Sequence, residues 1–139
     1  MLTISKDIKF DCAHMLSNYE GKCANLHGHT YHGTVILTGC VNPVTDMLLD
    51  YNKIKQIVDE FDHAIVFSAQ NMRNEAENKL QEWAVDYNMK YIILPTGKST
   101  AERMADYLAA RFIEQPGIQY VSIRLSETDG SWAEVRARR

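Results

Sequence analysis

Cysteine is scarce in this 139-residue chain, which carries three, an odd number with no paired framework. That excludes a disulfide-stapled secreted scaffold and suits a reducing cytosol. Also missing is any apolar run of membrane-spanning length, and the opening Met-Leu-Thr-Ile-Ser-Lys-Asp lacks the apolar core of a signal peptide. The expectation is a cytoplasmic protein with no membrane contact. Positive charge is not in excess: 15 Lys and Arg against 18 Asp and Glu leave a net charge of −3. Such a balance carries no nucleic-acid footprint, and Arg136, Arg138 and Arg139 read as a solvated tail. No Gly-rich phosphate loop, linker, low-complexity tract or internal repeat is visible. At 45% apolar, residues 1–139 suit one domain with its own core.

What the chain does have is histidine in one place. Four of its five histidines fall between positions 14 and 32, on segments that alternate like β-strands. Ile4, Ile8, Phe10, Cys12 and His14 share one parity, and Thr3, Ser5, Asp7, Lys9 and Asp11 the other, so His14 points with the core residues. From His27 onward the odd positions (His27, His29, Tyr31, Gly33, Val35, Leu37) form the more apolar face, and His32 points away. Three neutral imidazoles converging at the end of a sheet can supply the open, three-ligand site of a catalytic zinc. Nitrogen donors favour zinc over magnesium or calcium. The alternative is that each histidine is satisfied separately by a hydrogen bond. Cys12, two residues before His14 on the same face, is either a competing ligand or a small apolar core residue.

Cys23 stands four residues before His27. A thiol close to a dication has its thiolate stabilised and can serve as base or nucleophile. The same spacing suits a fourth metal ligand or an inert loop thiol. Val121, Ile123, Leu125 and Glu127 share one strand parity, which makes Glu127 a carboxylate on an apolar face in need of a partner. Alternatively it swings into solvent ahead of Asp129-Gly130, which reads as a tight hairpin turn. Asp62 and His63 close a helical stretch marked by Tyr51, Ile54, Ile57, Val58 and Phe61, where a histidine commonly meets the helix dipole. Ser99-x-x-Glu102 reads as a capping box that opens a helix through Met104, Tyr107, Leu108 and Phe112.

Taken in order, F-x-x-A-H (Phe10 to His14), C-x-x-x-H-G-H (Cys23 to His29), L-D-Y (Leu49 to Tyr51), D-H (Asp62, His63), T-A-E (Thr100 to Glu102) and S-E-T (Ser126 to Thr128) resemble the 6-pyruvoyltetrahydropterin synthase family. The set runs from Phe10 to Ala133, nearly the whole chain. Three residues between the cysteine and H-G-H are more similar to its 6-carboxytetrahydropterin branch, of the queuosine pathway, than to the animal 6-pyruvoyl enzymes. The turn Ser99-Thr100-Ala101-Glu102-Arg103 departs from the Pro-Thr-x-Glu-Asn of many relatives. Between His63 and Ser99 lies a longer segment than in compact relatives, with an amphipathic stretch (Ala76, Leu80, Trp83, Ala84, Tyr87) and the apolar run Tyr91 to Leu94.

The resemblance implies a zinc lyase acting on 7,8-dihydroneopterin triphosphate, with the metal on His14, His27 and His29. It implies Cys23 as base, Asp62 and His63 as a proton relay, Glu127 as the pterin anchor, and Thr100 and Glu102 as further substrate contacts, Glu102 being a helix cap first. Carbon–carbon cleavage would release acetaldehyde and triphosphate and leave a 6-carboxyl group. A 6-pyruvoyl product and a non-catalytic zinc scaffold are the alternatives. The order strand, strand, helix, inserted helix with a short strand, helix, strand, strand predicts an α+β fold, an antiparallel sheet with helices on one face. In this tunnelling-fold family such sheets join into a barrel as a trimer, and two trimers stack into a hexamer. The expected partners are therefore a small pterin substrate and further copies of the chain.

Overall fold

The computed structural model describes residues 1–139. Two long strands, β1 (Leu2–His14) and β2 (His27–Gly39), pair antiparallel along their full length, with Cys12 opposite His29 and His14 opposite His27. Directly opposed residues share a face. The two alternations read separately in the sequence therefore meet on one surface, where Phe10, Cys12, His14, Tyr31, Val35 and Leu37 are buried. Next to β2 lies β5 (Ile118–Thr128), then β6 (Ser131–Arg138), both antiparallel to their neighbours and joined by the expected turn at Asp129-Gly130. Gly130 takes φ +83°, a left-handed conformation that costs glycine little. Where β2 crosses β5, a Cβ at Gly33 would lie 2.2 Å from the Arg124 carbonyl oxygen, so this position admits only glycine without backbone movement.

Two short strands extend the other edge. β3 (Ala64–Phe67) joins β1 in parallel, and β4 (Tyr91–Ile93) joins β3 in parallel, giving the order β4-β3-β1-β2-β5-β6. The four long strands are antiparallel as expected. The parallel edge was not anticipated, because Ala-Ile-Val-Phe is nearly buried throughout and so shows no alternation.

Helices supply the cover. α1 (Tyr51–Val58) is capped by Asp50, whose carboxylate accepts from the Asn52 backbone N–H, and buries Ile54, Ile57 and Val58. α3 (Ala101–Ile113) buries Met104, Ala105, Leu108, Ala109 and Phe112 against β5 and β6. Its cap is Thr100, which accepts from Arg103 N–H, and not the expected Ser99. Ser99 is fully buried and its groups are engaged elsewhere. α2 (Glu75–Asp86) occupies the inserted segment and inverts expectation: Trp83 and Tyr87 are 44% and 65% exposed, while Glu77 is fully buried. No helix is long and apolar enough to cross a membrane.

Candidate metal centre and substrate cleft

His14, His27 and His29 present ligand atoms that all lie within 4.8 Å of one another. His14 Nε2 and His27 Nε2 are 3.2 Å apart. Ligands about 2.0–2.1 Å from a tetrahedral zinc stand roughly 3.3 Å from each other, so this spacing fits. The tautomers fit as well. His14 Nδ1 bonds the Ser99 carbonyl and His27 Nδ1 bonds the Asn25 carbonyl at 2.7 Å. A carbonyl only accepts, so both Nδ1 atoms carry the proton and both Nε2 lone pairs are left for a metal. His29 Nε2 is buried without any hydrogen bond. Its near neighbour is the Glu127 carboxylate oxygen, 3.3 Å away, and the three histidines form a group able to hold an ion. Burial holds the His14 pKa below the ordinary histidine value, against the raising effects of the Ser99 bond and Glu127. It is thus the neutral, ligating form at pH 7.

Cys12 does not join the triad. It is buried in the core beside His14, and burial with the nearby carboxylates of Asp11, Glu127 and Asp62 pushes its thiol up to about 12. It stays a thiol and behaves as an apolar residue. His32 is exposed on the opposite face, as its parity requires.

Glu127 turns inward. Its Oε1 accepts from the Tyr31 hydroxyl at 3.1 Å and stands 3.3 Å from both His14 Nε2 and His29 Nε2. Tyr31 is fully buried, its ring stacked on Phe10 at 5.1 Å. Burial, with Cys12 and Glu127 adding to it, drives the phenol pKa far up, so Tyr31 remains a donor at any ordinary pH. The sequence reading assigned Tyr31 no role, although its position two residues after His29 on the same face is the signal that would have found it.

Cys23 lies on a short 3₁₀ turn (Lys22–Ala24) that ends at Asn25, so one turn sets both the thiol and the His27 tautomer. It is a free, half-buried cysteine. With His14, Glu127, Thr100, Glu102 and Trp132 it lines a cleft of about 290 Å³. Thr100 and Glu102, at the start of α3, thus reach the same space as His14, whereas His29 lines the cleft that His63 shares.

Asp62 and His63 sit elsewhere. They occupy the turn between α1 and β3, where His63 adopts φ +59°, a left-handed conformation uncommon outside glycine. Two bonds to one residue of β1 hold it there: His63 N–H to Asp11 O at 2.7 Å and Asp11 N–H to Asp62 Oδ1 at 3.0 Å. Asp62 Oδ2 is 3.0 Å from His63 Nδ1. The Asp11 amide bond lowers the Asp62 pKa, with His63 contributing less, so Asp62 is an anion orienting an imidazole that is 78% exposed. His63 lines a second cleft, of about 450 Å³, with Asp11, Thr30 and Ile65. Within one chain the relay pair and Cys23 therefore face different clefts.

A histidine triad able to hold a metal ion, one member of which lines a cleft with a thiol and an inward carboxylate, is the arrangement of a pterin-synthase-class enzyme. The sequence profile of the family described as 6-pyruvoyl tetrahydropterin synthase matches residues 3–138, and the chain belongs to that family. It is 34% identical to the 6-carboxy-5,6,7,8-tetrahydropterin synthase of Haemophilus influenzae over 96% of this chain and 98% of that protein. It is 24% identical to the enzyme of the same name from Rickettsia bellii, covering 97% and 100%. Among solved structures, the fold matches a protein from Wolinella succinogenes with TM-score 0.69, 18% identity and coverage of 96% and 97%. It also matches 6-pyruvoyl tetrahydropterin synthase from Plasmodium vivax with TM-score 0.64, 16% identity and full coverage of both chains. At those identities the likeness speaks to the fold alone.

Proposed function

We propose that this chain is a zinc-dependent carbon–carbon lyase that converts 7,8-dihydroneopterin triphosphate and water to 6-carboxy-5,6,7,8-tetrahydropterin, acetaldehyde and triphosphate, the water supplying the carboxyl oxygen, in the route to queuosine. The observation that carries the reading is the convergence of the three histidines, their ligand atoms within 4.8 Å of one another, with His14 and His27 Nε2 freed by backbone carbonyls and Glu127 alongside. Similarity to relatives bearing the 6-carboxy name supports this product over the 6-pyruvoyl one.

Zinc bound by His14, His27 and His29 would polarise the substrate's side-chain oxygens and acidify the adjacent C–H bonds. Glu127 accepts from the 2-amino and N3 positions of the pterin, two donors that match a carboxylate's two oxygens, while Tyr31 fixes the carboxylate's aim. Cys23, as thiolate, removes a proton in the same cleft. His63, held by Asp62, returns one, and the change from dihydro to tetrahydro ring is internal to the substrate, so no redox cofactor is required. Thr100 and Glu102 are secondary contacts at the cleft's edge.

A cleft of about 290 Å³ lies at the lower end for small-molecule sites and does not enclose a triphosphate ester. Together with His63 facing outward and the open edges β4 and β6, this supports a homotrimer or hexamer in which Cys23 of one chain meets His63 of the next. Three unpaired cysteines suit a cytoplasmic setting. The test is to incubate the zinc-loaded protein with 7,8-dihydroneopterin triphosphate and identify the products. Acetaldehyde with a 6-carboxypterin supports the proposal. A 6-pyruvoyl product would reassign the branch, and no turnover would leave a zinc-binding scaffold.

A further inference from the structure

Five polar or charged residues of this chain are buried, His14, Ser17, Ser68, Glu77 and Ser99, and all five belong to one hydrogen-bonded network. It begins at the metal centre. The His14 imidazole bonds the Ser99 carbonyl. Ser99 is itself fixed at two other points: its N–H donates to Ser68 Oγ at 3.0 Å and its hydroxyl donates to the Met15 carbonyl at 3.1 Å. Ser68, just past β3, donates its N–H to Glu77 Oε2 at 2.6 Å, and its carbonyl accepts from Arg73 Nε at 2.7 Å. The second Glu77 oxygen accepts from Ser17 Oγ at 2.6 Å, and Ser17 Oγ accepts from Asn74 N–H at 3.0 Å.

Glu77 is costly where it stands. A fully buried carboxylate is tolerated only with its charge countered and its lone pairs engaged. Here Arg73 Nε lies 3.9 Å away, with two short hydrogen bonds besides. Hydrophobic packing does not explain the arrangement, since α2 buries only Ala84 besides Glu77 and leaves Trp83, and Tyr87 at its C-cap, largely exposed. The helix is tethered by its carboxylate, and the tether leads to the loop that holds His14. A network of this kind, satisfied at each member, fixes geometry more than it adds stability.

We infer that Glu77 and Ser68 are positioning residues for the metal centre: through the Ser99 peptide they lock His14 as the Nδ1–H tautomer with Nε2 aimed at the other two histidines. The inserted segment between His63 and Ser99 thereby acquires a role, as the outer support of a ligand. This rests on the reading of His14 as a metal ligand, but the lock itself is a property of the metal-free protein.

Two measurements test it. In metal-free wild-type protein, ¹⁵N imidazole NMR should give His14 as a single Nδ1–H tautomer; an Nε2–H or averaged pattern overturns the inference. Zinc affinity by chelator competition should fall about 10- to 100-fold in Ser68→Ala and Glu77→Ala, the scale seen when a group orienting a ligand is removed. Glu77→Gln should stay within about threefold of wild type, because the amide oxygen still accepts from Ser68 and the amide nitrogen can donate to Ser17. Ser122→Ala, which deletes a hydroxyl bonded to Glu134 on the far side of the sheet, controls for general loosening and should leave affinity unchanged. Folded Ser68→Ala with wild-type zinc affinity sinks the inference. If either alanine variant fails to fold, the other is read, and wild-type zinc affinity with an unchanged His14 tautomer in it sinks the inference. Wild-type protein that binds no zinc would instead overturn the proposed function while leaving the spectrum as the test of the lock.

Discussion

Replacing Tyr31 by phenylalanine removes one oxygen from the middle of the site and little else. The ring is fully buried and stacked on Phe10 with planes 13° apart, so phenylalanine preserves the packing. What disappears is the bond from the hydroxyl to Glu127 Oε1. A hydrogen bond to a charged acceptor contributes about 1.5–3 kcal/mol. The Glu127 side chain is 33% exposed, so water replaces part of the loss, and we expect a stability cost of about 1 kcal/mol, or about 4 °C in Tm at this size. Released from Tyr31, the carboxylate can turn away from the direction in which a pterin would meet both its oxygens. Losing one such contact should lower kcat/KM about tenfold, or about 1.4 kcal/mol, mainly through KM, with zinc content at wild-type level. Steady-state kinetics, elemental analysis and thermal unfolding on one preparation provide the three readings. Unchanged kcat/KM would refute the role of Tyr31 in aiming Glu127, and loss of zinc would make the Tyr31–Glu127 pair part of the metal centre.

His27→Ala should lose zinc and activity together, since it removes one of three ligands; full zinc content by elemental analysis would reject the triad. Cys23→Ala should keep zinc and assembly but lose about 100-fold or more in rate, the scale of general acid–base catalysis, and zinc loss would instead make Cys23 a ligand. Inactive Cys23→Ala mixed with inactive His63→Ala under subunit exchange should regain part of the activity, because the two residues line separate clefts in one chain; mixed oligomers that stay inactive would put the site within one chain or reject one of the two roles. In the metal-free protein, His14 takes up its proton later in the folded state than in the unfolded chain. Stability should therefore fall as pH drops below about 6.5 and level off beneath the folded-state pKa. Urea midpoints that are flat from pH 7 to 5.5 would contradict this.

The strands that carry the site were legible because their alternation is strict. His14 on one segment and His27 and His29 on another were assigned a common face by parity alone, and their ladder puts His14 opposite His27. Glu127 is legible in the same way, though the same parity also allows a solvent-facing carboxylate, and the contact with Tyr31 is what turns it inward. The failures share a physical cause. β3 is nearly buried throughout and has no period, and Trp83 and Tyr87 look like a core stripe although the helix is held by Glu77. Backbone groups are silent in a sequence. Nothing in the letters marks Ser99 as the carbonyl that sets a tautomer, and its resemblance to a cap hid that role, which left Thr100 as the actual cap. Asp62 and His63 were recognised as a pair, but the left-handed turn that aims them outward depends on Asp11, fifty-one residues away from Asp62.

The pairing of His14 with His27 across two strands also bears on how the chain finds its fold. A slip of one residue between β1 and β2 would send His27 and His29 to the opposite surface from His14, and the three nitrogens could no longer converge. An ion that prefers three ligands to one or two therefore stabilises a single alignment of these strands, by an amount that grows with its free concentration. A bound metal would thus act as a check on register: misaligned chains would forfeit it, and correctly paired ones would be drawn out of the unfolded population by mass action.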